Sequence, residues 1–193
     1  MKKYQIIYAD PPWKYNDKME MKGVHGNIRG ASPFYPTMSI EQIKAIPVSD
    51  ISDDNCVLFL WVVFPLLQEG LDTIRAWGFK YKTCAFNWVK TTNGGYIHLG
   101  MGHYTRGNAE LCLLGTRGKL KRINNSISQI VESPIREHSR KPAIVRKRIV
   151  DLYGELPRVE LFARGDTEKD LWGFNQFDGW DVWGDEIKSN IKI

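Results

Sequence analysis

Tyr4-Gln5-Ile6-Ile7-Tyr8-Ala9-Asp10-Pro11-Pro12-Trp13 is the stretch that decides how this chain is read. It opens with an apolar run of strand length, Tyr4 to Ala9. Two prolines then end the run, because each fixes φ and removes a backbone donor from the sheet ladder. The carboxylate of Asp10 is left at a strand's carboxyl end, where open α/β sheets form their ligand crevices. Trp13 adds a flat apolar face beside it. A rigid acceptor next to an aromatic ring suits a planar group that carries an NH2. On these residues alone adenine, cytosine and a glutamine side chain all remain open, and so does a plain turn-capping aspartate.

Outward from this stretch, strand-like and helix-like segments alternate. Ser39-Ile40-Glu41-Gln42 has capping-box form and predicts a short helix to about Ile46. Cys56–Val63 reads as a buried strand. Pro65 followed by apolar Leu66, Leu67, Leu71, Ile74 and Trp77 predicts a helix that Gly78 ends. Phe79–Lys90, Ala109–Gly115, Ile127–Val131 and Arg158–Ala163 are further strands, and Pro142 opens a helix that stops at Gly154. Strands separated by helices predict an α/β fold with a mostly parallel sheet, its β-rich middle allowing an antiparallel edge. Two long glycine-dotted stretches, Asp17 to Pro36 and Thr91 to Asn108, read as functional loops. One domain over 1–184 and a frayed tail over 185–193 complete the expected organisation.

Composition narrows the function. The 193 residues are 42% hydrophobic and 25% charged, which suits one soluble domain with a real core. A formal net charge of +5 favours a polyanionic partner. Seven Trp, eight Tyr and eight Phe make an aromatic-rich chain; most of these rings read as core, and some excess suits proteins that stack bases. Cys56, Cys84 and Cys112 lie in apolar runs without C-x-x-C spacing and read as buried, reduced thiols of a cytoplasmic protein. The four histidines show no metal-ligand spacing, so no metal is expected. The longest apolar run, Cys56 to Leu67, is too short for a membrane span. No P-loop is present, and no G-x-G-x-x-G follows a strand, so neither a P-loop nucleotide site nor a nicotinamide site is expected.

The ordered segments carry a resemblance. YADPPW at 8–13, YPTMSIEQI at 35–43, LFLWV at 58–62, WGFKYKTCAFNWVK at 77–90, NAELCLLGTRG at 108–118, REHSRKP at 136–142, ELFAR at 160–164 and FNQFDGW at 174–180 cover nearly the whole chain. Together they resemble the adenine-N6 methyltransferases of the mRNA methyltransferase-A (MT-A) type, in a compact form like phage and bacterial members. The resemblance implies a Rossmann-like fold with permuted motif order, the catalytic D-P-P-W first and the cofactor strand near the C-terminus. It implies S-adenosylmethionine as donor and nucleic acid as partner, DNA in preference to RNA. An RNA adenosine methyltransferase and a non-catalytic nucleic-acid-binding subunit are the rivals. The family's pairing of active and inactive subunits leaves a homodimer or a partner subunit open.

By the same resemblance, Asp10, Pro11, Pro12 and Trp13 are catalytic. Asp10 and the Pro11 carbonyl would hold the two N–H groups of adenine, and Trp13 would stack on its ring. Asp10, Lys141, Phe162, Arg164, Asn175 and Gln176 would face the donor, while the bland reading, a solvated helix, is preferred for Arg146, Lys147 and Arg148. Family members have a segment before D-P-P-W that supplies an Asp to the donor's adenine. Only nine residues precede Asp10 here, so that contact is expected from elsewhere, the C-terminal tail being one source. Tyr35 would line a pocket or anchor its loop. Lys18, Lys22 and Arg106 in the two loops, and the basic cluster Arg117, Lys119, Lys121 and Arg122, are candidate substrate contacts or solvated charges.

Overall fold

The computed structural model describes residues 2–14, 37–102, 104–136, 140–165 and 177–193. The expected sites at Lys18, Lys22, Tyr35, Asn175 and Gln176 therefore lie outside the described residues. The elements are β1 (Tyr4–Ala9), α1 (Ile40–Ala45), α2 (Val48–Ile51), β2 (Ser52–Val62), a 3₁₀ turn (Phe64–Leu66), α3 (Leu67–Ala76), β3 (Lys80–Thr91), β4 (Ala109–Arg117), β5 (Ile130–Pro134), α4 (Ile144–Tyr153), β6 (Arg158–Leu161) and β7 (Asp181–Trp183).

The strands form one sheet in the order β5-β3-β4-β2-β1-β6-β7. β1 pairs parallel with β2 and β6, β3 with β5, and β6 with β7. β4 is antiparallel to both β2 and β3. The antiparallel strand thus lies inside the sheet rather than at its edge. The long 92–108 segment returns the chain beside β3, and β4 fills the gap between β3 and β2.

Alternation along β2 explains why its central run is apolar on both sides. Leu58, Leu60 and Val62 face Ile43 of α1, Val48 and Ile51 of α2, and Ile74 of α3. Val57, Phe59 and Trp61 face Val145, Ile149 and Tyr153 of α4. A strand covered on both faces needs no polar side, as expected for the centre of an α/β sheet. The capping box of α1 forms as its sequence predicts: Gln42 N–H donates to Ser39 Oγ at 3.2 Å, and Ser39 N–H donates to the Gln42 side chain at 2.8 Å.

The segment expected to fray is held down instead. Asn190 Oδ1 accepts from Val182 N–H at 2.7 Å, and Asn190 Nδ2 donates to Asp181 at 3.1 Å. Ile191 and Ile193 pack against the α1–α3 face of the sheet. Three isoleucines in an otherwise polar tail, with Ile187 packed on the opposite face, dock it once Asn190 pairs with β7. Among the described residues no helix is long and apolar enough to cross a membrane.

Candidate active site

Strand register assembles the site at one edge. Ala9 stands opposite Leu60 and Leu161, Val62 opposite Leu111, and Val89 opposite Ala109. The carboxyl ends of β1, β2, β3 and β6 and the amino end of β4 therefore meet. This brings together Asp10, Lys90, Glu110 and Phe162, which are far apart in sequence.

The Asp10–Trp13 step is locked from both sides. Trp13 N–H donates to the Pro11 carbonyl at 2.8 Å, closing a three-residue turn. Pro12 O accepts from Met38 N–H at 2.9 Å, and Lys14 N–H donates to Met38 O at 3.2 Å. The Trp13 indole N–H donates to the Trp61 carbonyl at 3.0 Å. Trp13 is 7% exposed, so it is a fixed wall of the site with little free surface. Trp61 holds the other side, its indole N–H donating to the Tyr8 hydroxyl at 2.7 Å.

Four charges alternate across the edge. Lys141 Nζ lies 2.9 Å from Asp10 Oδ2 and 3.2 Å from Glu110 Oε2, and Lys90 Nζ lies 2.6 Å from Glu110 Oε1. The Lys141 ammonium also sits 5.6 Å from the centre of the Trp61 ring. Burial opposes the charge on Lys141, but Asp10 and Glu110 outweigh it and hold this ammonium above the usual lysine range. Burial likewise works against the Glu110 carboxylate, and Lys141 and Lys90 overcome it, keeping that carboxyl below its ordinary range. Neither Glu110 nor Lys90 stood out in the sequence. The available signal was a charge at the end of each of two otherwise apolar strands, WVK and AELCLL.

Two spaces flank Asp10. A cavity of about 410 Å³ is lined by Asp10, Lys141, Glu160, Phe162, Arg164 and Glu186, with Arg136, Arg140 and Arg146 adding charge. A slot of about 50 Å³ is lined by Asp10 to Trp13, Trp61, Glu110 and others, and shares Asp10, Lys141 and Arg164 with the cavity. Five cations against three acids leave the larger cavity electropositive. Burial, then neighbouring Arg146 and Arg136, push the Arg140 guanidinium below its usual range, a repulsion that an anionic ligand would relieve. Glu186 brings the C-terminal segment to this cavity, and Arg164 bridges to it through the backbone.

Phe162 takes φ +60°, a conformation that bulky residues avoid, at a cost of roughly 1–2 kcal/mol. Its ring stays in place edge-on to Trp183, centroids 5.4 Å apart, and Ala163 N–H donates to Trp183 O at 3.0 Å. Backbone strain at a cavity wall is a mark of function. Arg146, taken from sequence as a solvated helix residue, is instead buried. It forms a two-pronged ion pair with Glu160, one contact at 2.7 Å, and lies over the rings of Tyr8 and Phe177. The α4 register turns it toward the sheet, with Val145 and Ile149. Lys147 is exposed and pairs with Asp151 one turn on, as a solvated helix face would.

The structure does not bring the basic cluster to the site. β4 runs away from the edge, so Arg117 stands opposite Cys56, six strand steps from Leu111, or roughly 20 Å. Arg117 donates to Ser49 O at 3.2 Å, and Lys119, Lys121 and Arg122 are exposed at that far end. Arg106 is exposed on the 92–108 segment, which springs from the site's own edge. Cys56 and Cys112 are buried and Cys84 half-buried; burial pushes the Cys56 thiol up to about 12.

At the carboxyl edge of this Rossmann-like, methyltransferase-type sheet a roomy cavity and a narrow slot meet, sharing Asp10, Lys141 and Arg164. The chain belongs to the MT-A70 family, whose model matches residues 4–186. It is 35% identical to "Type II methyltransferase M.MunI" of Mycoplasma sp over 98% of this chain and 80% of that protein. It is 26% identical to "N(6)-adenosine-methyltransferase catalytic subunit METTL3" of Homo sapiens over 98% of this chain and 31% of that protein. A Drosophila melanogaster "N(6)-adenosine-methyltransferase MT-A70-like protein" is 29% identical over 92% of this chain and 27% of its own length. The chain thus spans less than a third of these adenosine methyltransferases.

Proposed function

We propose that this protein transfers a methyl group from S-adenosylmethionine to N6 of adenine in nucleic acid, with DNA preferred over RNA. The observation that carries the reading is Asp10, which lines both the cavity and the slot. The relative covered over 80% of its length is a type II methyltransferase, which favours DNA, and the net charge of +5 suits either polyanion.

The donor's groups match what the cavity offers. At about 410 Å³ it has the size of a small-molecule site. Lys141 and Arg140 suit the donor's carboxylate, Asp10 its ammonium, and Phe162 its adenine. Glu186 of the C-terminal segment offers a polar edge, and Asn175, Gln176 and Arg164 are assigned to the ribose and adenine by family pattern. When bound, S-adenosylmethionine supplies an electrophilic methyl on its sulfonium.

Adenine's exocyclic nitrogen is a weak nucleophile, because its lone pair is delocalised into the ring. Asp10 accepts one N–H of that amine. The Pro11 carbonyl accepts the other with its second lone pair, the first being taken by Trp13 N–H. Two fixed acceptors favour a pyramidal nitrogen whose lone pair points across Asp10 into the cavity; orientation of this kind supplies up to roughly 7–11 kcal/mol. The Asp10 carboxylate also steadies the positive charge that grows on nitrogen, and water takes the released proton. Trp13 and Trp61 wall the slot and keep the ring in plane.

Glu110 is a positioning residue in this reading. Glu110→Gln is expected to weaken donor binding about tenfold, the scale of one charged hydrogen bond. It should also move the alkaline loss of donor binding to lower pH. Lys141 is held above its ordinary value of 10.5, so its charge is available to the donor until pH rises through that higher folded value, and losing Glu110 lowers the point at which it is lost. Glu110→Asp should restore part of both effects. An unchanged pH profile of donor affinity in Glu110→Gln, read by calorimetry, would show that Glu110 does not hold Lys141.

The direct test incubates the purified protein with labelled S-adenosylmethionine and either DNA or RNA, followed by hydrolysis and mass spectrometry of the bases. N6-methyladenine from DNA, in excess over RNA, is the expected product. Its absence from both polymers would sink the reading.

A further inference from the structure

The segment between β3 and β4 carries a surface that the reaction centre leaves unused. It leaves the sheet next to Lys90 and returns next to Glu110, the pair that completes the row of charges at Asp10. Its backbone is tightly built. Thr92 N–H donates to Tyr96 O at 2.8 Å, His98 N–H to Lys90 O at 2.8 Å, and Gly100 N–H to Gly107 O at 3.0 Å. A Cβ added at Gly100 would lie 2.2 Å from the Gly107 carbonyl oxygen, and one at Gly102 would lie 2.1 Å from that of Thr105. The two arms approach so closely that only glycine fits.

From this frame large apolar side chains point into solvent. Tyr104 is fully exposed and Tyr96 79% exposed, with Leu99 at 67% and Met101 at 57%. Grouped apolar side chains on an ordered frame mark an interaction surface rather than a free one. From Thr92 to Ala109 the sequence contains His98, His103 and Arg106 but no Asp or Glu, which suits an anionic partner. The segment re-enters the sheet at Glu110, which lines the slot assigned to the target base.

We propose that this loop is a duplex-opening wedge, with Tyr96, Leu99, Met101 and Tyr104 entering the base stack of DNA beside the target adenine. The inference rests on the adenine-methylation reading. An adenine inside a duplex cannot reach a slot walled by Trp13 and Trp61, so it must leave the stack. Apolar side chains inserted at the vacated step offset the lost stacking, and a tyrosine ring covers the orphaned neighbour. Arg106 meets a phosphate at the rim. Single-stranded DNA has no stack to open and needs no wedge.

The test compares a circular single-stranded DNA with its double-stranded form. In Tyr96→Ala/Tyr104→Ala, methylation of the duplex should fall about tenfold or more, the cost of an unsupported base step. Methylation of the single strand should stay within about twofold of wild type, well inside the free energy of one stacked ring. Donor affinity should not change, and Tyr104→Phe should behave as wild type. Equal loss on both forms, no loss on either, or a wild type active only on single strands overturns the wedge. So does a change of oligomeric state in the double variant by sedimentation, which would mark a protein interface instead. A wild type that leaves both DNA forms unmethylated removes the underlying DNA reading as well.

Discussion

Asp10→Asn is expected to lower the turnover of methyl transfer by about 10²–10³-fold, the usual cost of losing one preorganised charge-stabilising group. The amide keeps an acceptor oxygen in nearly the same place but loses the negative charge that faces the developing ammonium. Asp10 is 23% exposed as a side chain, so water compensates poorly. Donor affinity should change by less than about tenfold, because Lys141 keeps its contact to Glu110 at 3.2 Å after Asp10 is neutralised. Single-turnover label transfer gives the first quantity and calorimetry the second. Loss of donor binding in step with turnover would mean that Asp10 acts chiefly through the donor's ammonium rather than through the amine.

Arg146→Ala should destabilise the fold by about 3–5 kcal/mol, because it strands the buried Glu160 carboxylate. The two side chains are 10% and 7% exposed, and burial penalises the Arg146 charge less than Glu160 favours it, which holds the guanidinium above its usual range. For a domain of this size the loss corresponds to a fall in Tm of about 6–20 °C. Arg146→Met together with Glu160→Met should recover most of it, since apolar replacement of a whole buried pair is often neutral. A double variant as unstable as the single one would place the stability elsewhere, in the packing of Arg146 over Tyr8 and Phe177.

Much of the fold was legible because its signals are local. β1, the capping box of α1, the α3 and α4 segments and most strand cores follow from runs of apolar residues bounded by proline, glycine and capping groups. α2 and β7 were missed because each is very short, with four and three residues, and is stabilised by what it packs on rather than by its own pattern. The charged residues divide in the same way. Lys147 pairs one turn away and behaves as its local sequence suggests, whereas Arg146, its neighbour, turns inward and pairs with Glu160 on β6. The basic run at Arg117–Arg122 read equally as a phosphate-tracking patch or a solvated turn; its place at the far end of β4 follows from strand direction, which the sequence does not display.

By itself the sequence determined the order of elements and the carboxylate that ends β1 at Asp10-Pro11-Pro12-Trp13, while Lys141, Phe162 and Arg164 were expected at a donor site from family resemblance alone. The β1 ending rests on local chemistry: proline ends the strand, and the carboxylate beside it is placed by that ending. Only the tertiary structure decided that β4 runs backward between β2 and β3. That reversal brings Glu110 and Lys90 to Asp10 and sends Arg117 to the far end. The local hydrophobic pattern fixes which face of a strand is buried, but the order and direction of strands in the sheet are decided by long-range packing.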